Sequence, residues 1–187
     1  NGRRRQRQMC IRDRIKICNS NLFSKNLFLE LLLIDGGSTD KSLQIAKKFK
    51  QLKIYSLKNS ERGFAIDYGI KKAKGDIIAI FPTDDEYEIK DLKYMINNII
   101  NTQEKVIYGS RLIKCVNLTN QIKKVYKKNY FGYFISKYGG LLVSILTLIL
   151  YNRFITDPFS TVKVFKASTI KSLKINSSGV DYDIEKF

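Results

Sequence analysis

The chain contains no histidine and no tryptophan. Within it, a histidine general base, a Ser-His triad and a His-ligated zinc site are therefore excluded. Proline is confined to Pro82 and Pro158. Its three cysteines, Cys10, Cys18 and Cys115, show no paired metal spacing, and a reducing compartment is the simpler reading. Acidic residues are absent from Lys105 to Thr156, a stretch with seven lysines and two arginines. Long apolar runs are also missing. Gly140–Leu150 is the most apolar stretch, and a bilayer-spanning helix needs about 20 such residues.

What is present is a 187-residue chain, long enough for one domain with a real core. Its net charge of +17 is unevenly spread: residues 1–14 hold six arginines and one aspartate, leaving about +12 for the rest. The arm Arg3–Gln8 has no apolar period and no signal-peptide core. Met9–Asp13 resembles the in-frame translation of a transposon adapter, so residues 1–14 are expected to be a non-native arm. A genuine polyanion-binding arm is the alternative.

The stretch from Asp76 to Tyr87 organises the rest. Ile77–Phe81 is an uninterrupted apolar run, read as a strand buried on both faces of a parallel sheet. Pro82 ends it, having no N–H to donate. Asp84, Asp85 and Glu86 follow at once. Ligands of open α/β sheets bind just beyond the carboxyl ends of strands. Clustered carboxylates there repel one another unless a cation holds them, and hard oxygen donors suit Mg²⁺ or Mn²⁺. The plain alternative is a solvated acidic turn.

Upstream, a weak helix is expected over Cys18–Asn26, and Leu27–Ile34 reads as a buried strand. It breaks into Asp35–Gly36–Gly37–Ser38–Thr39–Asp40. The glycines permit a sharp turn and close backbone approach to a ligand. Ser38 or Thr39 can cap a helix over Lys41–Phe49. Asp35, at a strand end, can accept from a base or ribose, though a plain strand-to-helix turn looks the same. A strand Leu52–Leu57 and a helix Arg62–Ala73 follow. The helix carries Ala65, Gly69 and Ala73 at four-residue spacing, which allows close packing on a sheet. Lys74–Gly75 is expected to end it. A helix Ile89–Ile100 and a strand Lys105–Tyr108 complete the alternation, which predicts an α/β, doubly wound, mostly parallel sheet flanked by helices.

Four motifs, in order, resemble the family 2 glycosyltransferases. Leu32–Asp40 resembles that family's DDGSTD turn, with Gly36 in place of the second Asp. Arg62–Gly75 followed by Asp76–Ile80 resembles its G…A…G…A.GD.I segment. Tyr108–Arg111 and Thr156–Lys163 resemble motifs of the branch containing dolichol-phosphate mannose synthases and bacterial polyprenyl-phosphate sugar transferases. The resemblance covers about Leu27 to Glu185 and implies a GT-A-like fold.

It also implies roles. Asp35, Gly36 and Ser38 would line the nucleotide-sugar site. Asp84 would bind a divalent cation, Mg²⁺ or Mn²⁺, bridging the donor diphosphate. The family's DAD motif stands here as Pro82–Thr83–Asp84, so its first Asp is absent, and Asp85 or Glu86 is the available substitute. Arg111 would grip the phosphate of a lipid-phosphate acceptor; a surface salt bridge is the alternative. Asp157, before Pro158, would orient acceptor or sugar, or simply initiate a turn. Lys163 would face phosphate or solvent. The family's opening strand has no counterpart here and the family usually continues past Phe187, so the chain reads as truncated at both ends.

Between Gln121 and Lys137, five lysines interleave with aromatic residues before the apolar Gly140–Leu150 stretch. That mixture within 105–156 is expected to form a basic interfacial helical segment on an anionic membrane surface. A buried core helix with a solvated lysine face is the alternative. Nucleic acid is not the expected partner, because an acid-lined site repels phosphate without a metal. The expected function is transfer of a sugar from a nucleotide-sugar to a polyprenyl phosphate at the cytoplasmic face of the membrane. The alternatives are a family 2 enzyme with a glycan or other hydroxyl acceptor, and a non-catalytic basic binding module.

Overall fold

A computed structural model describes residues 27–58, 60–82, 88–110, 130–152, 154–158 and 160–173. The expected arm 1–14, the helix Cys18–Asn26, the carboxylates Asp84, Asp85 and Glu86, Arg111 and the lysines 123–128 lie outside the described residues. The chain forms two compact units, one comprising residues to 107 and from 161 onward, the other residues 108–160.

In the first unit the elements are β1 (Leu31–Asp35), α1 (Ser42–Ala46), β2 (Leu52–Ser56), α2 (Arg62–Lys72), β3 (Ile77–Ile80), α3 (Ile89–Asn101) and β4 (Val106–Tyr108). β1 and β2 pair in parallel, Leu31 opposite Leu52 through Asp35 opposite Ser56. Glu30 braces this pair: one carboxylate oxygen accepts from Lys53 Nζ at 2.7 Å, the other from the Lys74 backbone N–H at 2.8 Å.

Among the described residues the expected single, mostly parallel sheet is instead two sheets, β1-β2 and β3-β5-β4, where β5 is Lys163–Lys166. The difference lies in β5, which runs antiparallel to β3 with Lys163 opposite Ile80. This strand was not foreseen, because Lys-Val-Phe-Lys reads as polar-flanked rather than as a sheet interior. Yet Lys163, Val164 and Phe165 are all buried. Strand alternation sends their side chains to opposite faces. Val162 and Val164 pack with Leu92, Met95, Ile96 and Ile99 of α3. Phe165 packs on the other side with Ile78, Ile70 of α2, and Ala167 and Ile170 of α5 (Ala167–Ser172). The result is a helix–sheet–helix sandwich around β3-β5-β4. β3 is less enclosed than its all-apolar sequence implies: Ile78 is buried, but Ala79 is exposed.

α2 joins the two sheets. Ile66 and Ile70 pack in the cluster that holds Ile78 and Phe165. On β1, a Cβ built on Gly69 would stand 3.1 Å from Ile34 Cγ1. The small-residue face therefore does what its spacing suggested, letting the helix backbone approach the strand. The helix stops at Ala73, which is extended, and the Ala73 carbonyl accepts from Lys171 Nζ of α5 at 2.7 Å. Lys171 thus serves one of the orphan carbonyls at the helix end.

The second unit contains α4, Tyr130–Tyr151, twice the length of the apolar stretch read from sequence. It ends at Asn152, whose positive φ of 53° suits an asparagine just past a helix C-terminus. Among the described residues, no helix is long and apolar enough to cross a membrane.

Candidate functional site

The carboxyl ends of β1 and β2 form the best-defined polar site among the described residues. β1 ends on Asp35 itself and begins at Leu31, four residues later than expected: Leu27–Glu30 are not in the strand. Directly after Asp35 the chain reverses through Gly36 and Gly37. Gly37 has φ of 106°, a left-handed value that a side chain would strain.

That reversal aims backbone donors at the Asp35 carboxylate. The Gly37 N–H donates to Oδ2 at 3.3 Å, and the Ser38 N–H donates to Oδ1 and Oδ2 at 3.1 and 3.2 Å. From the neighbouring strand the Ser56 hydroxyl donates to Oδ2 at 3.2 Å. Asp35 is buried. Burial pushes its pKa up, but hydrogen bonds from Ser38, Gly37 and Ser56 outweigh this and hold the carboxyl below its ordinary value. The site therefore carries a fixed, preorganised negative charge. Three of these contacts fall on Oδ2 and one on Oδ1, which leaves Oδ1 room to accept from a further donor.

Gly36 is fixed by what it touches. The Ser60 N–H donates to the Gly36 carbonyl at 3.3 Å. A Cβ at residue 36 would lie 3.3 Å from the Ser60 carbonyl oxygen. The loop after β2 thus sits against Gly36, where the family pattern has an aspartate. Capping differs from expectation: neither Ser38 nor Thr39 caps α1, and Asp40 Oδ1 accepts from the Ser42 N–H at 2.9 Å. Ser38 is committed to Asp35 through its backbone.

Three of the expected site residues, Asp35, Gly36 and Ser38, thus come together. Asp84, Glu86 and Arg111 lie outside the described residues. Among the described residues no three His, Cys, Asp or Glu side chains gather where they could hold a metal. Lys163 lies in β5 and is only 1% exposed, so the solvent-facing alternative does not hold. Asp157 belongs to the second unit, where it is buried. Its carbonyl accepts from the Ser160 N–H at 3.1 Å, closing a turn with Pro158 at the second position. Ser56 and Ser60 were missed. A pairing of Leu31 with Leu52 would have pointed to Ser56, but sequence alone does not supply the register.

Residues 8–158 match the model of glycosyl transferase family 2. The chain belongs to this family. Family membership brings the GT-A fold, and the α/β architecture agrees with it. An uncharacterised protein of Methanocaldococcus jannaschii is 25% identical over 154 residues, 80% of this chain and 58% of that protein. A UDP-N-acetylglucosamine–dolichyl-phosphate N-acetylglucosaminyltransferase of Methanococcus voltae is 26% identical over 181 residues, 85% of this chain and 66% of that enzyme. A dodecaprenyl-phosphate galacturonate synthase of Rhizobium johnstonii is 26% identical over 152 residues, 78% of this chain and 40% of that enzyme. The chain therefore spans 40% to 66% of the length of these relatives. Two of the three are named for polyprenyl-phosphate sugar transfer, in agreement with the branch that the Tyr108–Arg111 and Thr156–Lys163 motifs resemble.

Proposed function

We propose that this chain is the catalytic part of a transferase that moves a sugar from a nucleotide-sugar to a polyprenyl phosphate at a membrane surface. The observation that carries the reading is the Asp35 turn: a buried carboxylate held ionised at the end of a parallel strand in a family 2 glycosyltransferase. The names of the two polyprenyl-phosphate relatives supply the acceptor class.

In this reading Asp35 accepts from the base or ribose of the donor, with Gly36 and Ser38 shaping the turn beneath it. Asp84, with Glu86 or Asp85, would hold Mg²⁺ or Mn²⁺. Their hard oxygen donors suit such a cation. The cation would offset charge on the leaving diphosphate. The acceptor phosphate is an oxyanion at neutral pH, so it needs little help from a base. Arg111 would grip it bidentately, Lys163 would add positive charge, and Asp157 would orient acceptor or sugar. The basic stretch 105–156 would meet an anionic leaflet, and unpaired cysteine spacing favours the cytoplasmic face.

The test is a screen of radiolabelled nucleotide-sugars with isolated membranes and Mg²⁺ or Mn²⁺. Label should move into organic-extractable, acid-labile lipid phosphate. Label reaching only soluble glycans or free sugar would overturn the acceptor assignment.

A further inference from the structure

The described side chains along α4, Tyr138 to Leu150, are arranged inside out. Ser144 and Thr147 are 2% and 6% exposed, whereas Ile149 is 71% exposed. Tyr138, Leu141, Leu142, Ile145, Leu146, Leu148 and Leu150 are exposed as well. At 3.6 residues per turn these exposed side chains sweep an arc of about 200°, and the buried pair falls in the remainder with Gly140 and Val143. None of the exposed positions is polar beyond the Tyr138 hydroxyl. A helix of a water-soluble surface shows the opposite pattern. The two buried hydroxyls are satisfied inside the helix: Ser144 Oγ donates to the Gly140 carbonyl and Thr147 Oγ1 to the Ser144 carbonyl, each at 2.9 Å.

We infer that α4 lies in the plane of a bilayer, with the Leu142–Ile145–Ile149 side among the acyl chains and the Ser144–Thr147 side turned away from lipid. This rests on the membrane reading above and adds to it: hydrophobic insertion holds the chain down alongside lysine attraction. Two features favour lipid over a protein partner. An arc of about 200° exceeds the stripe that one packed helix covers. A second copy of the chain would bring like charge to the same place, since 105–156 holds nine basic residues and no acidic one. In-plane insertion agrees with the finding that no described helix is fit to span.

The absence of tryptophan makes the test direct. Ile149→Trp on α4 and Tyr94→Trp on α3, both at exposed positions, are mixed with phosphatidylcholine/phosphatidylglycerol vesicles carrying bromines on the acyl chains. The Ile149→Trp protein should show a blue shift and strong quenching, and the Tyr94→Trp protein neither. Leu142→Gln, Ile145→Gln and Ile149→Gln together should weaken vesicle partitioning by about a thousandfold or more, at low and high salt alike. Vesicle binding with no quenching at 149 would overturn insertion and leave the electrostatic membrane reading standing. No vesicle binding by the wild-type chain would overturn both.

Discussion

Asp35 and Ser56 stand opposite each other in the parallel register of β1 and β2, and the Ser56 hydroxyl donates to Asp35 Oδ2 at 3.2 Å. A side chain from the second strand thereby stabilises the charge placed at the end of the first.

The pH dependence of stability follows from that charge. Asp35 has its folded pKa lowered from the ordinary 3.8. Its contribution is present above that ordinary value and is lost as pH falls through the depressed folded value. Thermal denaturation of wild type and Asp35→Asn should therefore differ at neutral pH and converge in acid below pH 3.8. Ser56→Ala should lower stability by about 0.5–1.5 kcal/mol, the net worth of one hydrogen bond. A wild-type-to-variant gap that widens in acid would contradict the assignment.

Packing of α2 on β1 is tested at Gly69. Its virtual Cβ lies 3.1 Å from Ile34 Cγ1. Gly69→Leu should cost about 1–3 kcal/mol through overpacking, despite the better helix propensity of leucine. Adding Ile34→Ala should recover part of the loss, because the two sites share one contact. Independent, additive effects in urea titrations would show that the helix does not rest there.

The metal assignment is tested by Asp84→Asn. A neutral amide is a poor ligand for Mg²⁺ or Mn²⁺, so transfer should be abolished while the far-UV spectrum and melting temperature stay as in wild type. Wild-type turnover by the variant would remove Asp84 from the cation site.

The lysines of the basic stretch make a separable contribution. Neutralising Lys123, Lys124, Lys127 and Lys128 to glutamine should weaken co-sedimentation with anionic vesicles at low salt, at about 1 kcal/mol per lysine near the leaflet. The difference should fade at high salt, where screening shortens the reach of charge. It should also reduce transfer to polyprenyl phosphate more than hydrolysis of the nucleotide-sugar. Equal sedimentation of both proteins with anionic and neutral vesicles in all salts would count against an electrostatic role.

Local features were legible in the chain itself. Apolar runs and turn residues placed β1, β2, β3 and β4 and the helices α2 and α3 to within a few residues, because the period of burial is written in the order of side chains. Gly37 announced a reversal after Asp35, since only glycine takes that φ at little cost. Motif order was enough to reach the family. Tertiary structure decided the rest. The placement of β5 between β3 and β4 needs partners distant in sequence, and its terminal lysines hide a buried strand. The register that sets Ser56 beside Asp35 is likewise non-local. So is the inversion of α4: the run Gly140–Leu150 reads equally well as core or as membrane surface. Only the fold shows that Ser144 and Thr147 are covered while the leucines and isoleucines around them are not. Burial depends on what packs where, and a sequence states only which side chains would tolerate it.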